Sequence, residues 1–238
     1  MLFVLLGCGV EPAPEDLDGL IHWSWVNWEL ALEEDLAEAA NILRSFEDID
    51  GSVTDLQPEE LEHLGLGTKD VESARGWFVV YRFDCDLDTL QEILAEPDQL
   101  SLYPDAYETY TRELSSDPEA FISGASESME WESRWSSRYL NNTYEAETKA
   151  GLRRVGDVML GRAWFPEPAT ATDDDYGWEQ DYQNEIFAMD GDRVVHFYGM
   201  WREILAAGLT QDDDGLVNLT QNGMRNWDDQ TAELCADW

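Results

Sequence analysis

The chain of 238 residues carries 52 acidic and 14 basic side chains, a formal net charge of −38 at pH 7. This charge argues against a nucleic-acid partner, because nucleic-acid binding depends on clustered Lys and Arg. We interpret it as a solvated acidic coat, typical of proteins kept soluble in high salt; the alternative is a surface for cations or basic partners. Eleven Trp, nine Tyr and eight Phe are enough to fill a substantial core.

The first eight residues form an apolar run that ends at a cysteine. Leu5-Leu6-Gly7-Cys8 resembles the lipobox, the motif at which bacterial lipoproteins are cleaved and lipidated on the cysteine sulfur. The run is shorter than a usual signal peptide, and no Lys or Arg precedes it. The resemblance implies a signal segment over residues 1–8, lipidation of Cys8, and a lipid-anchored protein of the bacterial cell envelope, outside the cytoplasm. The alternative is a trimmed or ordinary N-terminus.

Residues 9–20 are acidic and Pro-rich, which is typical of a flexible tether between an anchor and a folded body. If Cys8 carries a lipid, Cys85 and Cys235 remain in an oxidising compartment, where a disulfide between them is expected. The disulfide would join the end of an early strand to the last turn of a C-terminal helix. Two buried free thiols are the alternative.

Residues 21–74 are predicted to form an N-terminal helical segment. Between residues 21 and 46 the sequence predicts one amphipathic helix, whose apolar stripe holds Trp25, Trp28, Leu32, Leu36, Ala39, Leu43 and Phe46. The cluster of Trp23, Trp25 and Trp28 has two interpretations, core packing or an anchor at the membrane interface.

The segment 46–57 has part of the pattern of a calcium-binding EF-hand loop. Asp48 and Asp50 fit positions 3 and 5, but Phe46 and Gln57 stand at positions 1 and 12, where the loop needs carboxylates. We therefore expect a turn without a metal ion. A short helix follows over 58–64, with a proline in its first turn.

From residue 75 the pattern changes to strands. A helix is predicted over Asp86–Leu94, and an exposed acidic loop over Thr170–Gly177. The predicted strands are Arg75–Asp84, about Ala106–Leu114, Met129–Tyr139, Thr143–Thr148 and Leu152–Phe165.

The C-terminal part, Asp181–Leu234, is expected to organise the rest of the chain. Tyr182–Met189 and Arg193–Leu205 are predicted strands, and the Asp-Gly pair between them is a strong hairpin signal. Apolar residues then recur at helical spacing from Leu216 to Leu234. A sheet that ends in one long amphipathic helix is expected to bury that helix across its face.

This order of elements resembles the START-like, helix-grip domains, the superfamily that includes polyketide cyclases and lipid-transfer proteins. The segments that carry the resemblance are Trp77–Phe83, Leu90–Pro104 and Leu216–Leu234. Glu96-Pro97 stands where the family has Asp-Pro, and residues 21–74 have no counterpart in the minimal domain. The resemblance implies an α+β domain over residues 75–238, with an antiparallel sheet wrapped on the C-terminal helix.

No catalytic constellation is recognisable in the sequence. His22, His63 and His196 stand on different elements and have no partners at metal-ligand spacing, so His196 is interpreted as a structural histidine. The sequence lacks the motifs of nucleotide-binding loops, serine hydrolases and zinc proteases. We therefore expect no enzyme, no metal site and no cofactor.

The helix-grip resemblance implies a pocket between the concave face of the sheet and the last helix, usually for an apolar ligand. The candidates for its lining are Trp164, Phe165, Phe197, Tyr198, Trp201, Met224 and Trp227. The pattern leaves open which strand face points inward, and such stripes also form plain core. Arg153, Arg154 and Arg162 are expected to pair with the acidic coat; the alternative is that they neutralise the acid of a ligand.

These expectations lead to two functions. The first is a lipid-anchored extracytoplasmic protein that binds or carries a hydrophobic small molecule in a sheet–helix cavity. The alternative is a lipoprotein with a solid core that acts as a structural or protein-interaction module. A hydrolase or cyclase would additionally need polar groups that converge inside the pocket.

Overall fold

The structure is a computed structural model that describes residues 10–139, 142–173, 175–205 and 213–238. The lipobox-like segment and Cys8 lie outside the described residues. Within the described ranges, nine strands form one antiparallel sheet: β1 (Ile49–Val53), β2 (Arg75–Phe83), β3 (Thr109–Leu114), β4 (Ser128–Tyr139), β5 (Asn142–Val155), β6 (Val158–Trp164), β7 (Thr170–Ala171), β8 (Gly177–Asp190) and β9 (Arg193–Leu205).

The helices surround this sheet. They are α1 (Leu17–Val26), α2 (Glu33–Arg44), a 3₁₀ helix (Pro58–Leu64), α3 (Leu87–Ala95), α4 (Gln99–Leu102), α5 (Pro118–Ile122) and α6 (Asp214–Asp237). No helix among the described residues has the length and apolar character that crossing a bilayer requires.

The strand order across the sheet is β1-β2-β9-β8-β6-β5-β4-β3, and the short β7 pairs with β5. Every pairing between these strands is antiparallel, and the predicted hairpin of β8 and β9 lies in the middle of the sheet. The order confirms the expected α+β class, with an antiparallel sheet and one long C-terminal helix.

One side of the sheet, which we call the N-terminal face, is covered by α1 and α2. Side chains of alternate strand residues, including Tyr182, Ile186, Phe197 and Trp201, pack there against the two helices in one apolar core. The tryptophan cluster of the N-terminal segment belongs to this core: Trp23, Trp25 and Trp28 are buried. Core packing is therefore the correct interpretation of these residues.

The other side of the sheet, the α6 face, is covered by the C-terminal helix. Its buried residues Leu216, Thr220, Met224, Asp228 and Thr231 recur every three or four positions and form one stripe. The predicted disulfide is confirmed, since Cys85 after β2 is bonded to Cys235 in the last turns of α6. This bond holds the end of the helix against the sheet.

The single helix predicted over 21–46 is wrong, because the chain forms two helices there. At the end of α1 the Asn27 side chain and backbone N–H both donate to the carbonyl oxygen of Trp23. At the start of α2 the backbone N–H of Leu32 donates to Asp35 Oδ2 at 2.8 Å. These two caps satisfy backbone groups that a continuous helix would pair internally.

Two further predictions are corrected. The turn expected over 46–57 contains β1, which adds to the sheet edge beside β2. The strand expected over 152–165 contains a hairpin turn between β5 and β6, where Gly156 has φ 59°. Glycine adopts this left-handed conformation at no steric cost, which is why the chain reverses at this position.

Candidate functional site

A cavity of about 300 Å³ lies on the α6 face. It is lined by residues of six strands, by the segment 94–107 and, from α6, by Trp227. Its volume is at the lower end of the range of ligand pockets, roughly 300–1,000 Å³. The aromatic side chains that line it are Tyr107, Tyr110, Trp131, Trp135, Phe165, Trp178, Tyr198 and Trp227.

The cavity exists because small residues occupy the middle strands while large rings stand around them. Ala150, Gly161 and Ala163 line its floor on β5 and β6. The surrounding rings pack on each other, with ring centres of Phe165 and Trp178 5.3 Å apart. These ring–ring contacts fix the side chains in the wall of the cavity, so that the rings do not fill it.

Glu185 is the acidic residue of this lining. Its carboxylate forms no ion pair or hydrogen bond with the described part of the chain. It stands on β8 between Gly161 of β6 and Tyr198 of β9 in the register of the sheet. A Cβ atom at position 161 would collide with Glu185 Oε2, so the glycine makes room for the carboxylate against the sheet. Among the described residues, no hydrogen-bond donor reaches the Glu185 carboxylate.

The surroundings of Glu185 change its acidity. Burial raises its pKa from 4.5 to about 7; the nearby His196 opposes this rise and Asp228 adds to it. The protonated and ionised forms of Glu185 are therefore both populated near neutral pH. Glu185 is only partly buried in the fold because one side of it faces the cavity.

Several other polar groups in and beside the lining have partners within the protein. Arg202 Nε donates to Asp181 Oδ2 at 2.8 Å, and its guanidinium carbon lies 4.1 Å from the ring centre of Trp178. Burial raises the pKa of Asp181, and the charge of Arg202 opposes this rise. The Tyr198 hydroxyl donates to Gln183 Oε1 at 2.7 Å, and burial raises the pKa of Tyr198.

Arg112 lies at the β3 edge of the cavity. Its guanidinium carbon is 4.1 Å from the ring centre of Trp131, and Nη1 donates to the carbonyl oxygens of Leu94 and Glu96. Its Nε donates to the hydroxyl of Tyr110 at 3.2 Å. These contacts fix the side chain as part of the wall.

His196 and Asp228 form a buried pair beside the cavity. Nδ1 of His196 lies 2.6 Å from Asp228 Oδ1, and both side chains are fully buried. The imidazole stacks on Phe187, with ring centres 4.0 Å apart. Burial raises the pKa of Asp228, while the charge and hydrogen bond of His196 oppose the rise. This pair joins α6 to β9, and we interpret it as a structural contact.

The predicted lining residues divide between the two faces. Phe165, Tyr198 and Trp227 line the cavity. Met224 packs outside the lining, against Val79, Tyr198 and Met200.

Trp164, Phe197 and Trp201 were wrong as lining residues, because they pack on the N-terminal face. Successive side chains of a strand alternate between faces, so the neighbour of a lining residue points away from the cavity. The three arginines expected to pair with the acidic coat all pair with carboxylates: Arg153 with Glu127, Arg154 with Asp88, and Arg162 with Glu29 and Glu130. Arg162 is buried and also belongs to the lining of the cavity.

Sequence reasoning missed Glu185 and Arg112. The signal for Glu185 was the polar run Gln183-Asn184-Glu185 inside a strand whose other residues are mostly apolar. A charged residue in the middle strand of a sheet is costly unless something pairs with it. No comparable signal marks Arg112, which lies on a strand of alternating exposure.

No protein-family model matches the sequence, and no curated protein matches it either. Among solved structures, the chain is similar to human STARD10, at 11% identity, covering 79% of this chain and 82% of that chain, with a TM-score of 0.47. It is similar to a START superfamily protein from Mycobacterium smegmatis, at 6% identity, covering 68% and 97%, with a TM-score of 0.46. A third similar structure is the Zhui aromatase/cyclase from Streptomyces sp. R1128, at 16% identity, covering 68% and 92%, with a TM-score of 0.42.

Proposed function

We propose that this protein binds a small, largely apolar molecule in the cavity between the sheet and α6. The observation that supports the proposal is the open space of about 300 Å³ behind a wall of aromatic rings. A plain core would be filled with side chains at the density of an organic crystal. The N-terminal face holds one continuous apolar core, whereas the α6 face leaves this open space beside its own apolar clusters.

We further propose that the protein is held outside the cytoplasm by a lipid on Cys8. The support is the lipobox-like run before Cys8 and the disulfide between Cys85 and Cys235, a bond that forms and persists in oxidising compartments. The tether predicted over residues 9–20 is wrong for most of its length, because α1 begins at Leu17 and Ala13, Leu17 and Leu20 are buried in the core of the N-terminal face. The linker between a lipid on Cys8 and the folded body would therefore be short.

A neutral fluorophore that brightens in apolar surroundings, N-phenyl-1-naphthylamine, tests the cavity. We expect saturable fluorescence with one molecule bound per chain. Ser133→Phe places a ring in the cavity lining and should weaken binding about 10-fold or more. Ser52→Phe makes the same change at an exposed position of β1 and should leave binding unchanged.

Circular dichroism melts of both variants establish that each is folded. Absence of fluorophore binding to the parent protein would favour the solid-core module. Equal binding by the parent and a folded Ser133→Phe would place the fluorophore elsewhere and also contradict the proposal.

Mass spectrometry of the full chain purified from membranes tests the anchor. We expect a chain that begins at Cys8 and carries the added mass of acyl groups on that residue. Recovery of the protein only from the soluble fraction, without the added mass, would show that the anchoring proposal is wrong while leaving cavity binding untouched.

A further inference from the structure

Resting on the proposed function, we infer that the molecule bound in the cavity is an aromatic or otherwise apolar amine, whose ammonium group pairs with the Glu185 carboxylate. The inference assigns Glu185 as the binding group that determines the ligand class. Its basis is the position of this carboxylate, the rings around the cavity, and the distribution of charge.

The Glu185 carboxylate faces the cavity without a donor from the described part of the protein. A carboxylate has two oxygen atoms that accept hydrogen bonds, and leaving them unpaired in a desolvated site is costly. Gly161 lets the carboxylate lie against the sheet, because a Cβ atom at position 161 would collide with Oε2. A ligand with N–H donors on a positive charge would satisfy these acceptors better than a neutral donor.

The walls suit a cation as well as an apolar body. Tyr198 stands directly across the strand pair from Glu185, and Trp227 reaches the same cavity from α6. The faces of Tyr and Trp rings attract an ammonium group within about 6 Å of the ring centre. The remaining rings of the lining then contact the apolar part of the ligand.

The arginines of the lining are held by other partners. Arg162 pairs with Glu29 and Glu130. Arg202 is neutralised by Asp181 at 2.8 Å. Arg112 belongs to β3, with β4, β5 and β6 between it and the strand of Glu185. Arg112 is also held at that edge by the Trp131 ring and by the carbonyl oxygens of Leu94 and Glu96. An ammonium group at Glu185 therefore meets acceptors and ring faces.

The charge of the whole protein favours the same sign of ligand. With a net charge of −38, the protein attracts cations to its clefts and repels anions such as fatty acids. The electric field of the whole protein acts on a ligand that approaches from solution, whereas Glu185 distinguishes between ligands that have entered the cavity. Raising the salt concentration screens the field of the whole protein and leaves most of the interaction with Glu185.

Three indoles that differ mainly in one group test the inference: tryptamine, the neutral tryptophol and the anionic indole-3-propionate. Each is titrated against the full chain loaded with N-phenyl-1-naphthylamine, in high salt to screen the field of the protein. We expect tryptamine to displace the fluorophore with an affinity about 10-fold or more above that of tryptophol. Indole-3-propionate should bind weakest.

Glu185→Gln removes the charge with little change of shape and should abolish the preference of tryptamine over tryptophol. Glu145→Gln, at an exposed position of β5, removes the same net charge and should keep the preference. Circular dichroism establishes that both variants are folded.

Three results would overturn the inference: equal affinities of tryptamine and tryptophol, failure of all three indoles to displace the fluorophore, or an unchanged preference in Glu185→Gln. In each case fluorophore binding itself would still support the proposed cavity function. Absence of fluorophore binding to the parent would instead remove the proposed function and the inference together.

Discussion

Asn184 and Glu185 are neighbours on β8 and face opposite sides of the same sheet. On the N-terminal face, the Asn184 amide donates to the carbonyl oxygen of Ile21 at 2.8 Å and to Ser24 Oγ at 2.6 Å. On the α6 face, the Glu185 carboxylate meets open space and no donor from the described residues. Pairing is incomplete on both faces, since Asn184 Oδ1 is buried without a partner among the described residues. The two faces differ in the cavity that Glu185 borders.

The difference in packing between the two faces is tested most directly at Phe197 and Tyr198, adjacent residues of β9 whose side chains lie on opposite faces. Phe197→Ala should lower the free energy of unfolding by about 3–5 kcal/mol, because Phe197 is fully enclosed by apolar neighbours. Tyr198→Ala should cost about 2 kcal/mol, because part of its ring already borders the cavity. Urea unfolding of both variants measures the difference. Equal losses would mean that the two faces are packed alike.

A second test uses the pH dependence of Glu185. Its pKa is raised from 4.5 to about 7, so folding is penalised as pH rises through this window and the penalty is constant above it. At about 1.36 kcal/mol per pH unit, Glu185→Gln should stabilise the protein by up to about 3 kcal/mol at pH 8 and by almost nothing at pH 4.

Urea unfolding of parent and variant at both pH values isolates Glu185, because Asp181, His196 and Asp228 are common to the two proteins. A stability difference that does not change with pH would show that the carboxylate is paired or solvated in the folded protein.

The smallest expected change in stability concerns His22, which lies on α1. Burial lowers the pKa of His22, but its 2.7 Å bond to Glu60 and the charge of that residue outweigh burial, so the pKa is raised above 6.5. This pair stabilises the fold fully below pH 6.5, and the contribution is lost as pH rises through the folded-state pKa. His22→Asn should therefore cost up to about 1 kcal/mol at pH 5.5 and less at pH 9.

Thermal melts at the two pH values measure this cost. His22→Asn should act at low pH by removing a paired group, whereas Glu185→Gln should act at high pH by removing an unpaired one. A larger cost of His22→Asn at pH 9 would contradict the pairing with Glu60.

The elements predicted with least error are those with strong local signals. The Asp-Gly turn at 190–191 joins β8 and β9 as expected, and the apolar stripe of the last helix faces the sheet. The break at Asn27 and the hairpin at Gly156 were missed, because apolar periodicity continues across both positions. Capping bonds and a left-handed glycine decided the local structure there.

The sequence by itself determined the strand alternation, the long terminal helix and the extreme negative charge. It left the disulfide between Cys85 and Cys235 as one of two alternatives, and the structure decided for the disulfide. Only the tertiary structure decided that Phe197 lies in a solid core while Tyr198 lines a cavity. The physical reason is that the alternation of side chains along a strand shows which residues share a face of the sheet. Which segments pack against that face depends on parts of the chain far away in sequence. Here α1 and α2 cover one face in a single apolar core, and space remains over part of the face that α6 covers.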